Sequence, residues 1–389
     1  MKLSNVASLR LLLAGIFISA LGGSLSSLGF SLLAAQTGQS ALLAAVLAAN
    51  LVPTVLLGLI GGHLADRKLA WWWWPASLLC TSLITATMAL TLNWTVIIAG
   101  CALMSSCTAL VGPVAQKLAS YYSQDAAETG STLATVQGLA GLSGVALGGV
   151  SFGAGAMRTM LWVDATAMLI LAGIGLLVSR TDAISLDTST EKFRWYEGLT
   201  LIARPQVFGL LGSGLIVTTV LSTSLDDVAG VFALIEILGL TPAQYGVTSA
   251  AWMLGIMAGS WLSQYLGGNL LTKHPLTALP IGLSIGLVGL CAPSFLIILL
   301  LFFLGGAGNG AFNAVTNRII ISSVPQTAQG RAWAGFRWIV YVCLLLGYLL
   351  GAVFAMTYPT QLMAIGGCLL VVCALSNLAV RVLIRPGSH

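Results

Sequence analysis

The 389-residue chain is apolar throughout: 58% of its residues are hydrophobic, and 16 Lys and Arg stand against 11 Asp and Glu, a net charge of +5. With a mean hydropathy of +0.98, a soluble or disordered chain is excluded, since either carries far more charge. The basic residues are scattered and form no stripe, which excludes nucleic acid as a partner.

Apolar runs of roughly 20 residues, the length that crosses a ~30 Å hydrocarbon core as a helix, fall near 9–34, 41–65, 71–91, 94–119, 130–153, 158–179, 206–234, 242–267, 275–292, 294–320, 331–356 and 360–383. They are continuously apolar, whereas strands of a membrane barrel alternate over ~10 residues. The chain therefore reads as an all-α membrane protein with twelve transmembrane helices. The first run follows Lys2 and Arg10; it is too long for a signal-peptide core and is read as a retained span. Trp71–Trp74 open the third span and read as an interfacial belt. The seven cysteines all lie in apolar runs and read as small core residues.

The longest polar stretch, 179–205, divides the spans into two sets of six: an N-terminal bundle at 1–179, a linker at 180–205 and a C-terminal bundle at 206–389. With the amino terminus inside, every Lys and Arg except Arg158 falls at or near a cytoplasmic end. The positive-inside rule then places both termini and the linker in the cytoplasm.

The two sets look like copies of one unit. Gly61-Gly62-His63-Leu64-Ala65-Asp66-Arg67 after the second span is echoed by Gly259-Ser260-Trp261-Leu262-Ser263-Gln264 after the eighth, Gln116-Lys117-Leu118 by Asn317-Arg318-Ile319, and Gly148-Gly149 by Leu350-Gly351. Matches in order at a nearly constant offset predict two pseudo-symmetric six-helix bundles, the plan of a carrier that rocks about a central site.

Over essentially its whole length the chain resembles the major facilitator superfamily, and within it the bacterial exporters of drugs and metabolites, including macrolide and siderophore efflux proteins. Gly62-His63-Leu64-Ala65-Asp66-Arg67 is similar to the front half of the family's G-x-L-x-D-R loop motif; Leu69, Ala70 and Trp71 depart from its remainder. Gly144-Val145-Ala146-Leu147-Gly148-Gly149 is similar to the antiporter motif G-P-x-x-G-G, with Val145 in place of Pro. The buried Arg of the family's fourth span is missing from Ser105-Ser106-Cys107-Thr108. Met160–Ala165 and Leu238–Gly246 also resemble the exporter branch. The resemblance implies a non-enzymatic secondary transporter of the bacterial inner membrane. It would act as a monomer without a cofactor, exchanging protons for a small amphipathic molecule. It also implies that Gly62, Asp66 and Arg67 form a latch that holds the cytoplasmic face closed.

From the residues themselves, Asp226 and Asp227 are the sharpest signal. They lie in the seventh span, ~12 Å from its end near Leu234, where a carboxylate is costly and faces a partner or a pathway. Two neighbouring carboxylates repel when both are ionised, which favours a proton on one of them. Asp164 adds an acid in the sixth span, with an interfacial pair to Arg158 as the simpler reading. Asn50, Gln137, Asn309, Asn313 and Arg337 are candidate lining residues, and Asn309, Asn313 and Asn317 share one helix face. No cysteine, histidine or acid spacing fits a metal, the glycines at 305–310 lack a phosphate-loop Lys, and consecutive acids do not suit an intramembrane protease. The function predicted is proton-driven export of an amphipathic organic molecule, with a siderophore exporter as the alternative and a sensor or lipid flippase further off.

Overall fold

The computed structural model describes residues 5–65, 70–123, 126–178 and 195–383, and all of its regular structure there is helical. Continuous apolar sequence makes long helices, because each backbone amide must be satisfied within its own segment when no water is at hand. In chain order they are α1 Asn5–Thr37, α2 Ser40–Ala65, α3 Ala70–Thr91, α4 Trp94–Ser123, α5 Ala126–Gly153, α6 Met157–Val178, α7 Trp195–Ile202, α8 Gly209–Phe232, α9 Pro242–Leu262, α10 Leu270–Cys291, α11 Phe295–Ser323, α12 Gln326–Phe354 and α13 Pro359–Leu383. Among the described residues, ten helices are long and apolar enough to cross a membrane. The interval 180–205, expected as linker, contains the short helix α7, which packs against α12.

The turns carry their own chemistry. Gly38, between α1 and α2, has φ of 61°, which an L side chain rarely adopts. Thr241 and Gln244 form a reciprocal capping box at the start of α9, with Pro242 at its first position.

The helices group into two compact units, Met1–Leu33 with Ala45–Thr190 and Ala34–Ala44 with Glu191–His389. In the first, α3 packs against α4 and α6. Its core includes Leu12, Ile16, Trp74, Leu118, Tyr122, Leu171 and Val178. Trp74 thus departs from the expected belt: it is 3% exposed while Trp72 and Trp73 are exposed. The cysteines divide likewise, Cys101 and Cys343 being buried and Cys80, Cys291 and Cys368 exposed.

In the second unit α10 packs between α11 and α13, and α9 lies along α11. Gly255 and Gly259 of α9 meet the α11 backbone at Phe303 and Ala307, while Gly306 and Gly310 of α11 meet the α9 backbone at Trp252 and Ile256. Small residues spaced by four on both helices allow this approach, the mode by which helices associate in lipid.

One contact occurs in both units. A methyl group built on Gly144 of α5 would lie 2.7 Å from Ser24 Cβ and 3.3 Å from Leu25 N of α1. On Gly347 of α12 it would lie 2.6 Å from Ser224 Cβ and 3.3 Å from Leu225 N of α8. One turn on, Gly148 meets Leu28 and Gly351 meets Val228. The offset is 203 residues on one helix and 200 on the other.

Candidate functional site

The α8 helix places the acids. Ser224 and Val228 turn toward α12, and Ser222 with Leu225 toward Gly366 of α13. Asp227, three residues after Ser224, falls on the α12 side, where Tyr348 donates its hydroxyl to Asp227 Oδ2 at 3.3 Å. Tyr348 is buried, while Asp227 itself is exposed. Asp226, four residues after Ser222, falls on the other side; its Oδ1 is buried and makes no hydrogen bond. Gly230, one turn further, leaves room for this oxygen, since a methyl group there would stand 2.7 Å from it. Tyr245 of α9 lies within electrostatic reach of both acids.

Directly beyond, residues Ala233–Ile237 widen into a π-helical turn, with Leu238 N donating to Ala233 O at 2.9 Å. Such turns insert a residue into the helical ladder and recur at functional sites. Counting from the end of the span at Ile237, the acids stand ~15 Å inward at 1.5 Å per residue. Glu236 is exposed on this turn.

Asp164 is placed differently from the simpler expectation. It is 2% exposed, packed against Gly22 of α1, while Arg158 is exposed near the start of α6. Their separation of six positions turns the two side chains to different faces of α6. Asn50 is exposed on α2; its carbonyl accepts from Ser105, whose hydroxyl also lies 2.8 Å from that of Thr54. Gln137 on α5 and Arg337 on α12 are exposed. Asn313 Nδ2 donates to Asn309 Oδ1 at 2.8 Å, as their spacing of four predicts, and Asn317 is exposed on the same helix. Gly62 lies in the last turns of α2, whereas Asp66 and Arg67 lie outside the described residues. Gly144 and Gly148 serve as the α1 contact already given, and Gly149 is buried beside them. Thus, within the second unit and among the described residues, the structure brings Asp226 and Asp227 together with two tyrosines.

Tyr348 and Tyr245 were not singled out by sequence. Tyr348 follows Gly347 as Val145 follows Gly144, so the register of the repeated glycine contact was the signal that would have found it. His274 was read from the sequence only as a histidine near a cytoplasmic end without a companion at metal-ligand spacing. It is fully buried between Phe208 and Phe312, at ring-centroid distances of 5.3 and 4.3 Å, with Nε2 2.9 Å from Thr316 Oγ1. Nearby Arg381 donates to Asn377 Oδ1 at 2.6 Å and to Phe208 O at 3.0 Å, tying α13 to the start of α8.

No family model and no curated protein matches the sequence. Solved structures do match its fold. The nucleoside transporter NupG is 14% identical with a TM-score of 0.76, covering 96% of this chain and 98% of its own. A bacterial homolog of the human lysosomal transporter Spinster, inward-facing and unoccupied, is 12% identical with a TM-score of 0.71 over 97% and 98%. A mutant of the peptide transporter POT is 13% identical with a TM-score of 0.72 over 99% of both chains. At these identities the likeness is one of fold.

Proposed function

We propose that the chain is a secondary active transporter with twelve membrane spans in two six-helix halves, exporting a small amphipathic organic molecule in exchange for protons. The observation that carries this reading is the acid pair of α8: two carboxyls deep in a helix with no other charge, one with its Oδ1 buried and unbonded, the other exposed and held by Tyr348. Ionisable groups at such depth are retained where they serve a pathway or a proton relay. Asp226 takes and releases the proton, and Asp227, fixed by Tyr348, faces the substrate. The solved structures of like fold bear the names of nucleoside and peptide transporters, which supports a carrier of small organic molecules.

Alternating access supplies the cycle. Protonation from outside and release inside bias the two accessible states by the difference in their proton affinity, and substrate moves the other way. The latch expected at Gly62, Asp66 and Arg67 holds the cytoplasmic face closed through a carboxylate at a helix start and charge-assisted bonds. Both termini lie in the cytoplasm, in a bacterial inner membrane.

Purified protein in liposomes loaded with a pH-sensitive dye tests the proposal. Amphipathic compounds are added singly, from cationic dyes to macrolides and siderophores, and proton movement is read from the dye. At least one compound drives a proton flux that Asp226→Asn abolishes. Compound flux that moves no protons refutes the coupling.

A further inference from the structure

Among the buried side-chain oxygens without a hydrogen-bond partner, four fall into two matching pairs: Ser26 Oγ with Asp164 Oδ1, and Ser222 Oγ with Asp226 Oδ1. In the first unit Gly22 of α1 lies against Asp164 of α6, where a methyl group on Gly22 would stand 2.9 Å from Asp164 Cα and 3.0 Å from its Oδ1. Ser26, one turn further on the same face of α1, faces the Asp164 carboxyl. In the second unit Ser222 of α8 lies against Gly366 of α13, where a methyl group on Gly366 would stand 3.4 Å from Ser222 Oγ and 3.6 Å from its Cα. Asp226 is one turn further on the same face of α8.

The two arrangements share a register. Gly22 and Ser26 correspond to Ser222 and Asp226 at an offset of 200, and Asp164 corresponds to Gly366 at 202. These offsets agree with those of the glycine contacts between α5 and α1 and between α12 and α8. Each unit therefore holds one carboxyl and one serine at the same place between two helices. The acid has moved across the pair: it stands on α6 in one unit and on α8 in the other.

We infer that Asp164, with Ser26, is a second proton site, equivalent to Asp226 with Ser222, so that the carrier takes up two protons in each cycle. This rests on the proposed proton-coupled function. Ser26 and Asp164 are 3% and 2% exposed, and Ser26 Oγ and Asp164 Oδ1 have no hydrogen-bond partner among the described residues. A protonated carboxyl donates and a carboxylate accepts, while a serine hydroxyl does either. The pair thus has a hydrogen bond available in both protonation states, which a reversible proton site needs. Of the helices around Asp164, α1 presents Ser26, α3 presents Ser82, which donates to Ala165 O at 2.7 Å, and α4 presents Cys101, the titratable neighbour. Around Asp226 the titratable neighbours are Asp227 on its own helix, Tyr245 on α9 and, through Asp227, Tyr348 on α12; α13 presents Gly366.

Infrared difference spectra of the purified full chain between acidic and alkaline buffer read the carbonyl stretch of protonated carboxyls and need no substrate. Wild type shows components that Asp164→Asn and Asp226→Asn remove separately. The double variant Ser26→Asp with Asp164→Gly, which moves the first acid to the register of the second, restores the component lost in Asp164→Asn. If Asp164→Asn does not fold, Asp164→Glu shifts the band in its place. A folded Asp164→Asn with the wild-type spectrum, or an unshifted band in Asp164→Glu, overturns the inference while leaving Asp226 as the coupling acid. A wild-type spectrum in Asp226→Asn instead strikes the proposed function.

Discussion

Adding one methyl group to Gly144 tests the helix contact that both units share. A Cβ there stands 2.7 Å from Leu21 O and 2.7 Å from Ser24 Cβ. Ordinary contact begins at 3.4 Å, so α1 and α5 must separate by about 0.7 Å, and a gap of that size forfeits a quarter to a half of each displaced contact. Overpacking of this kind costs about 1–3 kcal/mol, which at roughly 2–4 °C per kcal/mol lowers the Tm by roughly 2–12 °C. Gly148→Ala meets Leu28 Cδ2 at 3.0 Å and Leu25 O at 3.4 Å; the former is the end of a flexible side chain, so the cost stays below ~1 kcal/mol. Gly347→Ala, which meets Ser224 Cβ at 2.6 Å and Ser224 Oγ closer still, should cost at least as much as Gly144→Ala. Thermal unfolding of the three variants in one detergent gives the ranking. Equal Tm values for Gly144→Ala and Gly148→Ala, or a neutral Gly347→Ala, would refute the registered contact.

The acids of α8 should differ: Asp226→Asn abolishes proton-driven export, whereas Asp227→Asn weakens substrate binding and leaves proton flux measurable; full activity in both removes the pair from the mechanism. Asp66→Asn slows turnover more than it weakens binding, and an unchanged transport rate counts against the latch. Arg381→Ala takes a charged donor from Asn377 Oδ1 and from Phe208 O, which keeps only the Gly212 N–H, at a cost of about 1.5–3 kcal/mol, seen as a lowered Tm. Arg381→Lys does not rescue it, because a point charge cannot reach both acceptors as the guanidinium does.

The helices were legible because lipid leaves the backbone no other choice and because the charges mark where each run ends. The π-helical turn was not, since Ala233–Ile237 reads as ordinary apolar helix and the extra residue appears only in the hydrogen bonds. Depth along a span follows from counting residues, which located Asp226 and Asp227. Direction around a helix follows from packing, and that is where Asp164 was misjudged: proximity in sequence suggested Arg158, while the glycine at position 22 gave it a place against α1. The repeat pointed to Gly351 through Gly149, one residue off the Gly148 that the packing matches to it, and Tyr348 stayed hidden because a tyrosine within an apolar run resembles core until its hydroxyl is seen on a carboxylate. Trp74 shows the converse, an apparent belt residue drawn into the core by the small surface of Gly175.

Accumulation against a gradient addresses the central claim most directly. Inverted membrane vesicles carrying the protein are energised to an acid interior, and an amphipathic substrate found in the liposome screen is supplied outside. The account predicts uptake above the external concentration, lost on adding a protonophore and absent in Asp226→Asn. Uptake that stops at equal concentrations and ignores the protonophore would contradict it.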